Sequence, residues 1–198
     1  MSMKNIGKFI AAAVISANAI MAAVAQQADV PISDSDPVLV FNRVCYAQVP
    51  VIDNIREMST RFAWERMGGE DLKQFTTVEN PSVLEGWDVR LAQRLYRLGV
   101  VQSSLTENFK QTFPEFAEGV ATGCTLILDG SDDADIILER MISLAGKQPT
   151  SSDVQDGDLS TTTWAGGNED FKVFLFYKSD QKGKANLLNV TILSKETT

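Results

Sequence analysis

The chain of 198 residues contains no histidine. Its absence removes the Ser-His-Asp and Cys-His nucleophile arrangements, and with them every His-ligated metal centre. Cysteine is scarce, with only Cys45 and Cys124. Cations are outnumbered: 18 Lys and Arg stand against 26 Asp and Glu, a net charge of −8. Such a chain repels nucleic-acid phosphates and anionic lipid surfaces, so no nucleic-acid partner is expected. There is no G-x-S-x-G, no P-loop and no dinucleotide fingerprint, so no cofactor is expected either. Catalysis, if any, is left to carboxylates, Lys, Tyr, Ser and Thr.

What is present begins with an export signal. "MSMKNIGK" carries Lys4 and Lys8 and no acid, and "FIAAAVISANAIMAAVA" is apolar and rich in small residues. Ala23 and Ala25 occupy the small-residue positions of an A-x-A cleavage site. Together these read as a signal peptide over residues 1–25, cleaved near Ala25/Gln26. The apolar part falls short of the roughly 20 residues a spanning helix needs, and no later segment approaches that length. The mature chain is expected to be soluble, periplasmic or secreted, and without a membrane span. Cleavage removes Lys4 and Lys8, which takes the net charge from −8 to −10. Residues 26–36 read as a flexible leader, and 37–198 as a single domain large enough for a real core.

In an exported chain two cysteines allow one pairing, Cys45–Cys124. The loop so closed spans about 80 residues, and the chain-entropy account assigns it roughly 4 kcal/mol.

Periodicity supplies the elements. Asp36 is placed to cap a short helix with Pro37 at its first position. Phe41, Val44 and Cys45 share the buried face of that helix. A second helix is expected from Val51 to Met67, stopped by Gly68-Gly69. Leu84, Trp87, Leu91, Leu95 and Leu98 recur at helical spacing, which predicts a helix over 87–98 and then a strand; the same residues also allow a strand. "NFKQTFPEFAEG" reads as a loop around Pro114. "CTLILD" reads as a buried strand and "GSDD" as a turn. In "DADIILERMISLAG", a helix ended by Gly146, the apolar side comprises Ile136, Leu138, Met141, Ile142 and Ala145. "KQPTSSDVQDGD" reads as an exposed connection. "STTTWAG", "FKVFLFYK" and "NLLNVTIL" read as three antiparallel strands joined by turns. The expected fold is α+β: a helical N-terminal half packed on a C-terminal antiparallel β-meander, held by one disulfide.

Candidate sites are few. Asp129, Ser131, Asp133 and Asp135 alternate as calcium ligands do. The calcium-loop pattern nevertheless needs Gly where Ala134 stands and Glu where Arg140 stands. The stretch "DVQDGD" fails the same pattern, so no metal site is expected. Capping of the following helix by Asp132 or Asp133 accounts for the acids better. "SDQK", from Ser179 to Lys182, has serine–lysine spacing but lies in an expected hairpin turn, not on a helix. "NVT" at Asn189 is a formal glycosylation acceptor inside an expected strand. The remaining candidate is "WAGGNED". Trp164, Gly166, Gly167 and Asn168 lie at a strand end, where an exposed Trp beside a loop is a recognition element. The alternative is a Trp packed on the sheet above a glycine turn.

The order of parts, an exported leader, the helix with "F-x-x-x-C" (Phe41 to Cys45), the strand-turn-helix from Cys124 and a terminal hairpin, resembles uncharacterised small exported single-disulfide proteins of Gram-negative bacteria. The resemblance implies an envelope location and brings no activity or functional residues with it. The leading expectation is a non-catalytic binding protein whose protein or small-molecule partner lies in the envelope. One alternative is an envelope hydrolase using carboxylates or Lys. Another is an acidic inhibitor or immunity-type partner of a basic enzyme.

Overall fold

The computed structural model describes residues 36–91 and 93–195. The expected signal peptide over 1–25, and the leader up to residue 35, lie outside the described residues.

The fold is α+β. Eight strands form one antiparallel sheet in the order β1-β2-β3-β4-β8-β7-β6-β5. They are β1 (Glu65–Arg66), β2 (Val83–Leu91), β3 (Arg94–Ser104), β4 (Val120–Ile127), β5 (Ser151–Asp156), β6 (Leu159–Gly167), β7 (Phe171–Asp180) and β8 (Ala185–Ser194). Helices α1 (Pro37–Phe41), α2 (Ile52–Arg61), α3 (Glu107–Thr112) and α4 (Ala134–Ala145) are spread between them.

Directly opposed residues of an antiparallel pair point to the same face. The register aligns Trp87↔Leu98, Leu98↔Leu126, Leu126↔Leu188 and Leu188↔Tyr177, so one row crosses five strands on one face. The next row runs Val100↔Cys124, Cys124↔Val190, Val190↔Leu175 and Leu175↔Trp164. All these side chains are buried, and α1, α2 and α4 cover them with Val40, Phe41, Ile55, Ile137 and Met141. Burying one such large side chain contributes about 1.5–3 kcal/mol. The Cys45–Cys124 disulfide is formed and fastens the first helical segment to the centre of the sheet. Arg56 of α2 adds a part-buried clasp, donating to Glu85 of β2 at 2.8 Å.

The opposite face is half-covered. Phe75, in a 3-10 segment over Gly69–Phe75, lies against Gly99, where a Cβ would stand 2.1 Å from its ring. Farther along, Phe113 and Phe116 pack with Leu193 and Phe174. Between them Asn189 donates to the Cys124 carbonyl at 3.2 Å and to Thr125 Oγ1 at 2.8 Å, so it acts as a cross-strand brace inside β8.

Several expectations are corrected. Helix is not confined to the N-terminal half, nor sheet to the C-terminal half. The helix expected over 87–98 is replaced by two strands, β2 running to Leu91 and β3 starting at Arg94. The helical spacing of the leucines was a coincidence laid over a true alternation, Trp87 and Val89 opposed to Leu98 and Tyr96, all on the core face. The turn uses Gln93 at φ 69°, without the Asn-Gly or Asp-Gly signature of such turns. The second helix ends at Arg61, six residues early, because Ala63 turns left-handed (φ 50°) and Trp64 N–H bonds back to the Ser59 carbonyl at 2.9 Å. That closure is ordinarily signalled by glycine. It frees Glu65–Arg66 to pair with Asp88 and Trp87 at the sheet edge. The expected loop "NFKQTFPEFAEG" instead overlaps helix α3 (Glu107–Thr112) and contains a 3-10 turn at Pro114–Phe116. The connection expected over "KQPTSSDVQDGD" contains strand β5, whose residues Ser151 to Gln155 are all exposed; an edge strand with no buried face carries no apolar alternation. On α4 it is Ile137 and Met141 that are buried, while Ile136 is 54% exposed.

Candidate functional site

A cavity of about 570 Å³ opens where the first helical segment leaves the sheet. Asp36 caps α1, accepting from Val38 N–H at 3.0 Å, with Pro37 at the first position. After Phe41 the helix widens into a π-helical turn, Asn42–Tyr46, closed by Ala47 N–H to the Asn42 carbonyl at 2.9 Å. Such turns add a residue without ending the helix, and they often occur at functional sites. Here the turn carries Cys45 to the sheet and turns Tyr46 along it. Val49 N–H returns to the Cys45 carbonyl at 3.0 Å, and the Val49–Pro50 peptide is cis. Tyr46, Val49 and Pro50 make one wall.

The other wall is the end of the β7–β8 pair. The last two core-face rungs are Val173↔Ile192 and Phe171↔Ser194, and all four residues line the cavity. Asp170 and Lys195, the residues just outside the last rung, complete it. The lining is therefore apolar at its floor, with Asp170, Ser194 and Lys195 at the rim. Lys195 Nζ also lies 5.9 Å from the Phe116 ring centroid.

The loop singled out from the sequence borders this cavity. Trp164 itself is 1% exposed and packs in the core, its indole N–H donating to the Lys147 carbonyl at 3.1 Å. Gly166 and Gly167 end β6 on the surface. Gly167 has φ 117°, and a Cβ there would stand 2.3 Å from the Phe171 carbonyl oxygen. Asn168 Oδ1 accepts from Asp170 N–H at 2.8 Å and from Phe171 N–H at 3.1 Å. Gly167 and Asn168 thus hold Asp170 and Phe171 at the cavity mouth, while Trp164 supports the sheet beneath. The sequence drew attention to the loop through its Trp. What the loop presents is the pair of residues just after it. Tyr46, Pro50 and Lys195 carried no signal, because their grouping depends on chain segments about 120 to 150 residues apart.

The acidic stretch has a different task. Arg94 forks across Asp129, with Nη2–Oδ1 at 2.8 Å and Nε–Oδ2 at 3.0 Å. Its Nη1 donates to Asp132 Oδ1 at 3.0 Å, and Nη2 reaches Asp132 Oδ2 as well. The guanidinium lies 5.1 Å from the Tyr96 ring centroid. Arg94 holds the Asp129 carboxyl well below the usual carboxylate range, chiefly through these hydrogen bonds. Burial pushes the Tyr96 phenol up to about 12. Asp133, not Asp132, caps α4, accepting from Asp135 N–H at 3.1 Å and Ile136 N–H at 3.3 Å. Asp129 and Asp132 are thus partnered by an arginine from the β2–β3 hairpin, a segment no calcium-loop pattern includes. The Ser179–Lys182 stretch ends β7 and enters its turn, where Asp180 Oδ1 accepts from Lys182 N–H at 2.8 Å.

Compared with known proteins, the chain matches no family model, no curated protein and no solved structure.

Proposed function

We propose that this is an exported, non-catalytic binding protein that takes a small molecule with an apolar body into the cavity between Tyr46, Val49, Pro50 and the β7–β8 end. The observation that carries the reading is the cavity. At about 570 Å³ it has the size of a small-molecule site, and its apolar floor with few polar groups at the rim is the usual composition of one. Its lining includes a single carboxylate, Asp170, whereas glycoside hydrolysis ordinarily uses two flanking the scissile bond. Export, and with it a periplasmic or secreted location, draws support from the signal-like N-terminus and from the Cys45–Cys124 bond, because disulfides persist in oxidising compartments.

Titration with the neutral apolar dye N-phenyl-1-naphthylamine tests the reading. We expect saturable fluorescence enhancement at one site, weakened by Phe171→Asp. Phe171 is 40% exposed, so this change alters the cavity mouth with little cost to the core. Dye binding that is equal in both proteins counts against the cavity.

A further inference from the structure

We infer that the Cys45–Cys124 bond positions the cavity wall, so that the protein binds its ligand tightly only in the oxidised state. The inference rests on the binding reading above and concerns the regulation of that same site. Two kinds of connection meet at Cys45. Its side chain is bonded to Cys124 at the centre of the sheet, with the Cα atoms 5.3 Å apart. Its carbonyl oxygen accepts from Gln48 N–H at 2.9 Å and from Val49 N–H at 3.0 Å, and so holds the turn that delivers Val49 and Pro50. Tyr46 is the next residue in the chain. The wall residues Tyr46, Val49 and Pro50 therefore all hang from Cys45.

The other end of the bond lies close to the opposite wall. Cys124 is opposed to Val190 of β8, and Ile192 is the next residue of β8 on that face, about 7 Å farther along the strand. Other fastenings of the first wall are few. Among the described residues, the hydrogen bonds of 42–51 stay within the first helical segment and the start of α2. Cys124 Sγ approaches the Val44 carbonyl oxygen at 3.9 Å, but a sulfur in a disulfide has no proton to donate. What remains is the packing of Val44 and Val49, which is non-directional and fixes position less closely than a covalent bond.

Oxidation therefore completes the site. Two thiols give up two protons and two electrons to a disulfide-bearing oxidant, which leaves as a dithiol, and the new S–S bond sets the wall in its binding position. In the dithiol state the wall samples other positions, and apparent affinity falls with the fraction of time it spends in place.

Titration with N-phenyl-1-naphthylamine compares the unaltered protein with the double variant Cys45→Ala, Cys124→Ala, under conditions where circular dichroism shows both folded. We expect dye binding about tenfold weaker in the variant, as for a wall in place about a tenth of the time. Loss of stability alone leaves the affinity of the folded protein unchanged. Equal affinity thus overturns the inference and leaves the cavity reading standing, whereas absence of dye binding to the unaltered protein overturns both. If the variant does not fold, hydrogen exchange of the unaltered protein decides. The Gln48 and Val49 amides, fastened only through Cys45, are expected to exchange by local opening on the order of tenfold faster than the Val190 amide of β8. Dye at about ten times its Kd should slow them about tenfold. Exchange at the pace of Val190 means that packing holds the wall throughout. That result, or exchange that dye leaves unslowed, overturns the inference.

Discussion

Arg94 grips Asp129 through two near-parallel hydrogen bonds, although 34 residues of chain separate the two. The pair joins the β2–β3 hairpin to the turn that launches α4, and Asp132 joins it from the same turn. Side-chain exposure is 19% for Arg94, 26% for Asp129 and 14% for Asp132, so the cluster is more sheltered than a surface pair. Removing the arginine leaves two half-buried carboxylates facing each other. We expect Arg94→Ala to cost about 2 kcal/mol in urea unfolding, between the values for exposed and fully buried pairs. Calcium at about millimolar concentration should leave the thermal midpoint of the unaltered protein unchanged. A rise of several degrees would show that the turn binds the ion.

The same pair sets a pH dependence. The folded protein holds the Asp129 carboxyl below its unfolded value, so it binds fewer protons there than the unfolded chain does. The stability so gained is fully present above the unfolded pKa of about 3.9 and is lost as pH falls below it towards the folded value. Asp129→Asn should flatten this part of the stability curve below pH about 4, measured by denaturant titration at each pH. An unchanged slope would show that other carboxylates carry the acid sensitivity.

Gly99 exists for Phe75. A Cβ on Gly99 would stand 2.1 Å from the Phe75 ring, so Gly99→Val must expel the ring or shift the strand. We expect a loss of about 1–3 kcal/mol, the usual cost of overpacking. Phe75→Ala in the same background should recover part of it, because the clash is then gone. A Gly99→Val protein with an unaltered thermal midpoint would mean that Phe75 packs elsewhere.

The disulfide joins a helical segment to the middle of the sheet between positions 79 residues apart. Cys45→Ser with Cys124→Ser should cost about 2–5 kcal/mol, the range for a native bridge in an exported domain. Both half-cystines are fully buried, so mild reductant should spare the bond in folded protein and cleave it on unfolding. Mass spectrometry of unreduced protein should find it two hydrogens lighter than the dithiol. Ready alkylation of both thiols in native protein purified without reductant would exclude the bond.

Processing tests the export proposal separately from the fold. N-terminal sequencing of protein recovered from the envelope fraction should begin at or near Gln26. An intact Met1 there would sink the cleavage.

Local chemistry made part of this protein legible in advance. Asp36 and Pro37 start α1 for local reasons, because a side-chain acceptor and a ring without an N–H both suit a helix N-terminus. Asp133 and Gly146 bound α4 for similarly local reasons, and Gly146 takes the left-handed conformation that ends a helix. The C-terminal meander was readable from alternation, since β8 has one dry face. With only two cysteines a single pairing is possible, and it is the one formed. Tertiary structure alone decided the rest. The leucines from Leu84 to Leu98 satisfy helical and strand periods alike, and β2 and β3 form because Leu98 and Val100 gain a sheet neighbour in β4. Ala63 turns left-handed without a glycine because the next residues find a strand edge to join. The acids of the turn after β4 meet an arginine because a hairpin brings Arg94 there. The cavity needs Pro50, Phe171 and Lys195 together, and only the folded sheet supplies that proximity, since no local sequence period spans such distances along the chain.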